Sequence, residues 1–600
     1  MTALSQTKKM HFLKHFPKHI HKSMKVTQRT ALSHDETVGG STIQELSTGS
    51  GKTAKGYANL QGLREYYGKG TYFFITPKKT LVDQIAILYP DFHVIYGRNE
   101  YECLYYDEPK FMADQVPCSL LDDCAFRVNF ETGETHEPGV EPCPYLHAKW
   151  KGKNKLVVCT LSFYLFTVLY SDQWGEIHGV VIDEAHDVED VIRNALSYEV
   201  TDYHLERIIC FLKDNGMEGA NEFQMFLNSM KQSVKRHSTG HSLLDDAEIH
   251  TFINLLSKID RPTLKNELRK FLRRKQVTEE QRETTKKLEM VIRDLHRYIT
   301  SFEYSIDNDK RKALNYTYAY LNPRRSENQK VEYSLHIKCY NVAPIIAKIF
   351  PENKTFVMTA TLGNIQVFRM QTGWKYPVFT HDSEFPVENA RIYLPSNAED
   401  LSVAHSKKRG KATTIRRIAR TCKLFAQAGH RSLVLVVSED ERQQFLRMAA
   451  EENIQVVTYG NGVKSKEALQ LFKSGAGEVL AGTFAQYGEG IDLPNQNAPV
   501  TFALRPGFPP PNDPRAMYEE KRFKDMRWVI WNDREMKRIL QARGRNIRNK
   551  TDKGVTFCMS SQYKRIVLKS LPKWLLPAYR HSLKFDDCVQ DALNLLGTTD

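Results

Sequence analysis

The segment Leu46-Ser-Thr-Gly49-Ser50-Gly51-Lys52-Thr53 brings glycines, a lysine and a hydroxyl together at the spacing of a phosphate-binding loop. Gly49 and Gly51 let backbone N–H groups around Ser50 close on the β- and γ-phosphates of a nucleotide, and the helix N-terminus adds its positive end. Lys52 supplies a point charge to the same phosphates, and the Thr53 hydroxyl can ligate Mg²⁺. Leu46 stands where the strict pattern has a small residue. About 130 residues downstream, Val180-Val-Ile-Asp183-Glu184-Ala185-His186 sets two carboxylates at the end of an apolar run. There Asp183 can hold Mg²⁺ through water, and Glu184 can orient and deprotonate an attacking water. An Asp-Glu turn after a strand is common by itself; paired with the loop, it points to an ATP-hydrolysing site.

A third constellation lies near the far end, Gln541-Ala-Arg-Gly544-Arg545-Asn-Ile-Arg548. Arg545 and Arg548 are three apart and share one face of a helix, from which a guanidinium can reach a γ-phosphate. Alone, the pattern reads as a basic surface helix. It gains weight from two polar turns of the kind that line a cleft between lobes, Met358-Thr359-Ala-Thr-Leu362 and Gly482 to Asp492, the latter containing Gly490. Four cysteines, Cys103, Cys118, Cys124 and Cys143, fall between the loop and the Asp-Glu pair with the spacing C-x14-C-x5-C-x18-C. Four thiolates suit a [4Fe–4S] cluster or a tetrahedral zinc, although the tight C-x2-C knuckles of zinc sites are absent. On spacing alone, unrelated buried cysteines are the third alternative. Cys159, Cys210, Cys339, Cys422, Cys558 and Cys588 are scattered and read as core residues.

These side chains need a scaffold, and hydrophobic patterning supplies one. Apolar β-rich runs at 41–47, 71–76, 155–160 and 179–183 alternate with helical stretches, the texture of a parallel α/β sheet. From about 190 to 325 apolar residues recur at helical spacing amid dense charge, which predicts a mostly helical insertion. A second α/β pattern follows, with strands expected at 355–358, 432–437, 454–458, 478–481 and 555–558. The chain has 600 residues, 41% apolar and 26% charged, which excludes a disordered chain, a collagen and a small disulfide scaffold. No apolar run approaches the 18 or so residues of a membrane span; the longest, Cys159 to Tyr170, stops near twelve. With no apolar signal segment at the N-terminus, an intracellular, cytoplasmic protein is expected. A net charge of +14 suits a polyanionic partner. The His- and Lys-rich first 28 residues are expected to be solvated or phosphate-facing, with metal binding as the alternative.

Taken in order, the motifs resemble those of superfamily 2 helicases, specifically the iron–sulfur XPD/DinG-like branch. Thr76-Pro77 with Leu81 and Gln84 resembles motif Ia, Thr359-Ala-Thr-Leu362 motif III, and Gln541 to Arg548 motif VI. Asp382 to Asn389 resembles the branch's S-x-F segment, and Pro509 to Pro514 its proline-rich one. Gln28 corresponds to the upstream glutamine that reads adenine. Departures are Thr160-Leu161 where Asn is usual, Thr359 where Ser is usual, and Ser560-Ser561 where an Asp follows the last strand. The flanks Tyr96 to Cys103 and Cys143-Pro-Tyr145 resemble the borders of the branch's cluster domain, so the resemblance implies [4Fe–4S] at the four cysteines.

The implied fold is α/β: two RecA-like parallel-sheet motor lobes with an inserted iron–sulfur domain and a mostly helical arch. The implied boundaries are 1–98 and 147–190 for lobe 1, 99–146 for the cluster domain, and 191–330 for the arch. Lobe 1 resumes over 331–375, and lobe 2 spans 376–600. ATP and Mg²⁺ would sit between the lobes, with Gly490 and Asp492 at the nucleotide and Arg545 and Arg548 closing on the γ-phosphate. The implied activity is 5′→3′ movement of a monomeric motor on single-stranded DNA, with unwinding of forked duplex. Aromatics in Tyr164 to Tyr170 either stack bases or pack the core. Competing readings are an ATP-gated translocase or clamp that separates no strands, and an RNA-directed helicase. A nuclease is disfavoured, since the chain begins about 45 residues before the loop and no acidic metal-binding cluster appears elsewhere.

Overall fold

The computed structural model describes residues 9–106, 110–171, 173–236, 242–274, 277–306, 317–325, 331–383, 385–402, 410–488, 493, 497–510, 512–543 and 550–597. Each apolar β-rich run read from the sequence becomes a strand, because runs buried on both faces can only be satisfied inside a parallel sheet covered by helices. The first sheet has seven strands in the order Val378–Thr380, Thr42–Glu45, Thr355–Thr359, Ile177–Ile182, Thr71–Thr76, Leu156–Thr160 and His93–Val94. All its pairings are parallel. The second sheet also has seven parallel strands, ordered Val456–Val457, Val479–Thr483, Ser432–Val436, Val500–Ala503, Gly554–Cys558, Ala390–Tyr393 and Tyr579–Arg580. Apolar cores flank each sheet.

The register of the first sheet places the chemistry. Glu45 pairs with Thr359 and Val357 with Ile182, so three neighbouring strands end together at one edge. Beyond those C-terminal ends come the glycine loop, the Thr359–Leu362 turn and Asp183-Glu184. Ligands bind at this end of an open parallel sheet because helix N-termini and loop N–H groups converge there.

The insertion holds more than helices. Asp202–Asp214, Ala220–Arg236, Asp246–Ser257, Arg261–Leu272 and Glu279–Ile306 are helical, but a four-stranded antiparallel sheet runs beside them. Its centre is the nine-rung pairing of Thr317–Arg325 with Val331–Cys339, flanked by Tyr198–Thr201 and Ser242–Leu243. Pro323, Arg324 and Arg325 hide the first of these strands from a reading that looks for apolar runs. The sheet carries the insertion past 330 to Cys339, and the first α/β sheet takes a strand as late as Val378–Thr380.

The cysteine segment does not fold apart from the helices. Cys103, Phe111, Val116, Leu120 and Leu121 are buried in one apolar core with Leu212, Phe223, Phe252 and Leu288. The Arg282 guanidinium lies 3.9 Å from the Phe111 ring centre and 4.3 Å from that of Tyr106, and Arg269 pairs with Asp122 at 3.0 Å. Cys159, Cys339, Cys422, Cys558 and Cys588 are buried as expected, whereas Cys210 is exposed. It sits on the outer face of the Asp202–Asp214 helix, whose buried positions are Leu205, Ile208, Ile209, Phe211 and Leu212.

Two further expectations are refined. The N-terminal basic stretch is not simply solvated: Met10, Phe12 and Phe16 are buried in the first lobe, His21 Nε2 meets Tyr89 Oη at 3.0 Å, and Lys14 and His15 pair with Glu65. In the aromatic run, Tyr164 is fully buried and its hydroxyl donates to Ile349 O at 2.7 Å, so it packs the core, while Phe166 is exposed.

Candidate functional site

The glycine loop is a cradle that only glycine can form. Gly49 and Gly51 have φ of +79° and +85°, in the left-handed region that strains L side chains. A Cβ on Gly51 would lie 2.1 Å from Gln28 Nε2, and one on Gly49 would lie 2.2 Å from Phe385 Cζ. The loop feeds the helix Lys52–Tyr67, with Thr53 in its first turn. Gln28, from the helix Val26–Val38, accepts from Lys25 N at 2.8 Å and donates to Gly51 O at 3.0 Å. Lys25 Nζ donates to Gly49 O. The upstream glutamine and its neighbouring lysine therefore grip the loop backbone from behind. The sequence reading missed Lys25, whose only signal is the basic character of that stretch.

Lys52 reaches the acidic pair across the sheet end: its Nζ lies 2.8 Å from Glu184 Oε1 and 4.0 Å from Asp183 Oδ1. Asp183 is buried, and burial, opposed by Lys52 and reinforced by Glu184, pushes its carboxyl up to about 6. Glu184 adopts φ +52°, an uncommon conformation for a residue with a side chain that is held here by its neighbours. Glu184 Oε2 lies 3.3 Å from His186 Nδ1, which is also 3.0 Å from Thr359 Oγ1. His186 Nε2 faces Gln541 Nε2 at 2.7 Å. The same Nε2 lies 3.4 Å from Asp187 Oδ1. One imidazole thus joins the Asp-Glu turn, the Thr359 turn and the second lobe.

The helix Arg527–Arg543 of the second lobe, which carries Gln541, packs closely on the Thr359–Leu362 turn. Asp533 Oδ1 accepts from Asn364 N at 2.5 Å, and Lys537 pairs with Asp533 at 2.9 Å. Beside it lies a partly buried charge network that the sequence reading missed. Arg515 meets Glu189 at 2.9 Å, Asp190 at 3.0 Å and Glu519 at 2.8 Å. Arg193 pairs with Glu189 at 2.6 Å, Arg534 pairs with Glu519, and Trp531 Nε1 donates to Glu519 Oε2 at 2.7 Å. Burial would raise the Glu189 carboxyl, but Arg193, Arg515 and Arg534 hold it below its ordinary range. Glu189 and Asp190 belong to the helix Val188–Ala195 that follows the Asp-Glu turn, so the network ties that turn to the second lobe. Its partners lie about 325 residues apart, and no local pattern announces it.

The donor set fits a nucleoside triphosphate with Mg²⁺. Beside Lys52, the Ser47 and Ser50 hydroxyls are buried with no hydrogen-bond partner, an arrangement that phosphate oxygens would satisfy. Of the residues expected here, Lys52, Asp183, Glu184, Gln541, Gly49, Ser50, Gly51, Thr53 and Gln28 gather at this cleft. Gly490, Asp492, Arg545 and Arg548 lie outside the described residues.

The four cysteines are neighbours. Burial pushes the Cys103 thiol up to about 11, and Cys118, Cys143 and Cys124 add to the rise. Cys103 lies in the short pairing Glu102–Cys103 with Phe111–Met112, and Cys143 caps the helix Pro144–Gly152. Arg98 Nη2 is 3.1 Å from Cys118 Sγ, and Arg127 Nη2 donates to Cys118 O at 3.1 Å. Among the described residues, no group of three or more His, Cys, Asp or Glu side chains converges tightly enough for a metal ion. Four thiols with two adjacent guanidinium groups suit an anionic thiolate-ligated centre.

Residues 421–578 match the helicase C-terminal domain family. The chain superposes on an XPD helicase with a TM-score of 0.59 at 15% identity, covering 93% of this chain and 100% of the other. The corresponding values for Xpd4 of S. tokodaii are 0.57, 13%, 93% and 100%. No curated protein matches the sequence. The chain is thus built as two RecA-like lobes with insertions. Its fold is that of these XPD helicases, and residues 421–578 carry the helicase C-terminal domain.

Proposed function

We propose that this protein is an ATP-dependent DNA helicase that moves 5′→3′ along single-stranded DNA and unwinds forked duplex. The observation that carries the reading is the His186 junction, where the turn bearing Asp183 and Glu184 is bonded to Thr359 in one lobe and to Gln541 in the other. A change at the terminal phosphate would displace Glu184 and with it His186, and so would alter the seating of the second lobe. Gly49, Ser50, Gly51 and Lys52 would hold the phosphates, Thr53 and Asp183 would hold Mg²⁺, and Glu184 would take the proton of the attacking water. Mg²⁺ would also favour the ionised Asp183 that burial alone disfavours. Gly490 and Asp492 would complete the nucleotide site, and Arg545 and Arg548 would close on the γ-phosphate. The 99–146 segment and the insertion from 191, which its sheet extends to Cys339, would enclose the strand.

Cys103, Cys118, Cys124 and Cys143 would hold a [4Fe–4S] cluster that braces the segment against the helical unit. The surplus of 14 positive charges favours a nucleic-acid backbone. Unwinding of DNA duplexes with a 5′ or a 3′ single-stranded tail, by anaerobically purified protein with ATP, tests the proposal. Unwinding from the 5′ tail alone is the expected result. Unwinding from the 3′ tail alone overturns the polarity. Strand-stimulated hydrolysis without unwinding leaves a translocase or clamp, and a preference for RNA strands leaves an RNA-directed motor.

A further inference from the structure

Arg543 is the last residue of the helix Arg527–Arg543, one turn beyond Leu540 on the side that faces the first lobe. Both line a cleft between the lobes with Ser47 and Thr48 of the glycine loop, Thr361, and the aromatic rings of Phe385 and Trp574. The guanidinium lies 5.5 Å from the Trp574 ring centre, held by an aromatic face that gives it no hydrogen-bond acceptor. Its Nε is buried and has no hydrogen-bond partner. The Ser47 and Thr361 hydroxyls in the same cleft are also buried and unpartnered.

Several partly or fully buried arginines are compensated by carboxylates. Arg193, Arg515 and Arg534 each touch a carboxylate, as does Arg442 through Glu439. No carboxylate among the described residues pairs with Arg543, and burial pulls its pKa down to about 10 with no opposing charge. A half-buried guanidinium with an unpartnered buried Nε and no carboxylate among the described residues is costly for a folded chain. Placed beside a phosphate-binding loop, it is half of a charge pair whose other half is an anion. Thr48 directly precedes Gly49, so the anion that arrives at this edge of the loop is the end of the phosphate chain.

We propose that Arg543 is a phosphate-contacting residue of the interlobe cleft, taking the terminal phosphate of a bound nucleoside triphosphate and so distinguishing it from the diphosphate. The inference rests on the reading of the glycine loop as a nucleotide site, and adds a third guanidinium to Arg545 and Arg548. Planar, bidentate geometry suits arginine to this task better than lysine.

The test is equilibrium binding of a fluorescent ADP and of a non-hydrolysable fluorescent ATP analogue, with Mg²⁺ and without DNA, to wild type, Arg543→Met, Arg543→Lys and Lys52→Ala. Arg543→Met should weaken the triphosphate analogue by about tenfold or more, the size of a charge-assisted hydrogen bond, and leave ADP within about twofold. Arg543→Lys should fall between. Equal weakening of both nucleotides, or of neither, overturns the proposal. If Lys52→Ala leaves both affinities unchanged, the nucleotide-site reading itself fails. Binding of a single-stranded oligonucleotide without nucleotide separates the other phosphate source: weaker strand binding with an unchanged triphosphate-to-diphosphate ratio assigns Arg543 to the nucleic-acid backbone and overturns the proposal. Without nucleotide, Arg543→Met should melt at or above the wild-type Tm, since it removes an uncompensated charge. A lower Tm with an unchanged ratio marks a merely structural arginine, and if Arg543→Met does not fold, the Arg543→Lys ratio decides.

Discussion

Lys55 and Asp35 are both completely buried, with Nζ and Oδ2 2.5 Å apart, and they join the helix that carries Gln28 to the helix that follows the glycine loop. Asp35 is saturated: Oδ1 accepts from Thr42 Oγ1 at 2.5 Å and Gln44 Nε2 at 2.8 Å, and Oδ2 also accepts from Asn59 Nδ2 at 3.0 Å. Lys55 additionally donates to Asn59 Oδ1 at 2.9 Å. Burial lowers the Lys55 pKa and the Asp35 charge pulls it back, so Lys55 depends on its partner for its charged form. Lys55→Met therefore leaves a buried carboxylate without a counter-ion, and Asp35→Asn leaves a buried ammonium. Each should cost about 3–5 kcal/mol, the range for breaking a buried pair. At about 2–4 °C per kcal/mol for a domain of this size, that is a fall in Tm of roughly 6–20 °C. The double variant removes both charges and should lose less than either single one, giving a coupling energy of at least about 3 kcal/mol. Urea denaturation of the four proteins, followed by tryptophan fluorescence, measures the cycle. Singles below about 1 kcal/mol, or additive singles, would refute the claim that the pair is mutually dependent.

Three further outcomes are expected. Burial, with His34 and Lys55 nearby, pulls His381 down to about 4, and its Nε2 lies 2.6 Å from Gln44 Oε1. The folded state resists protonation while the unfolded chain accepts it, so stability present above pH 6.5 should fall as pH drops toward 4, by about 1 kcal/mol at pH 5 after allowance for solvent screening. His381→Gln should flatten that decline, and an equal decline in both proteins would count against it. Arg515→Met removes the bonds to Glu189 and Asp190 across the lobes, so amide exchange in Val188–Ala195 should accelerate by about tenfold or more; unchanged protection would show that the network does not hold the lobes. Iron and acid-labile sulfide in anaerobically purified protein should approach four of each per chain and drop sharply in Cys118→Ser. One equivalent of zinc in their place would overturn the cluster.

The local parts of the site were legible because each is a contiguous grammar. A β-rich run, two glycines and a lysine opening a helix predict a phosphate loop wherever they occur, and Asp183-Glu184 after an apolar run is equally local. The short strands Ala390–Tyr393, Val500–Ala503 and Val378–Thr380 escaped because three or four residues in mixed surroundings carry no distinctive period. The hairpin in the insertion escaped because its strands are long but interrupted by proline and charge.

By itself, the sequence determined the chemical types present and the kind of element bearing each: a phosphate loop, an acidic turn, a clustered set of cysteines and two parallel sheets. Strand order is not written in any one segment, and it is the placement of Thr355–Thr359 between Thr42–Glu45 and Ile177–Ile182 that brings Lys52 within 2.8 Å of Glu184. The same holds for Gln541 on His186, for Arg515 on Glu189, and for Arg543 against Trp574 beside Ser47 and Thr48. Each depends on two distant segments meeting in one geometry. Burial, which only the assembled fold creates, then decides what their charges do.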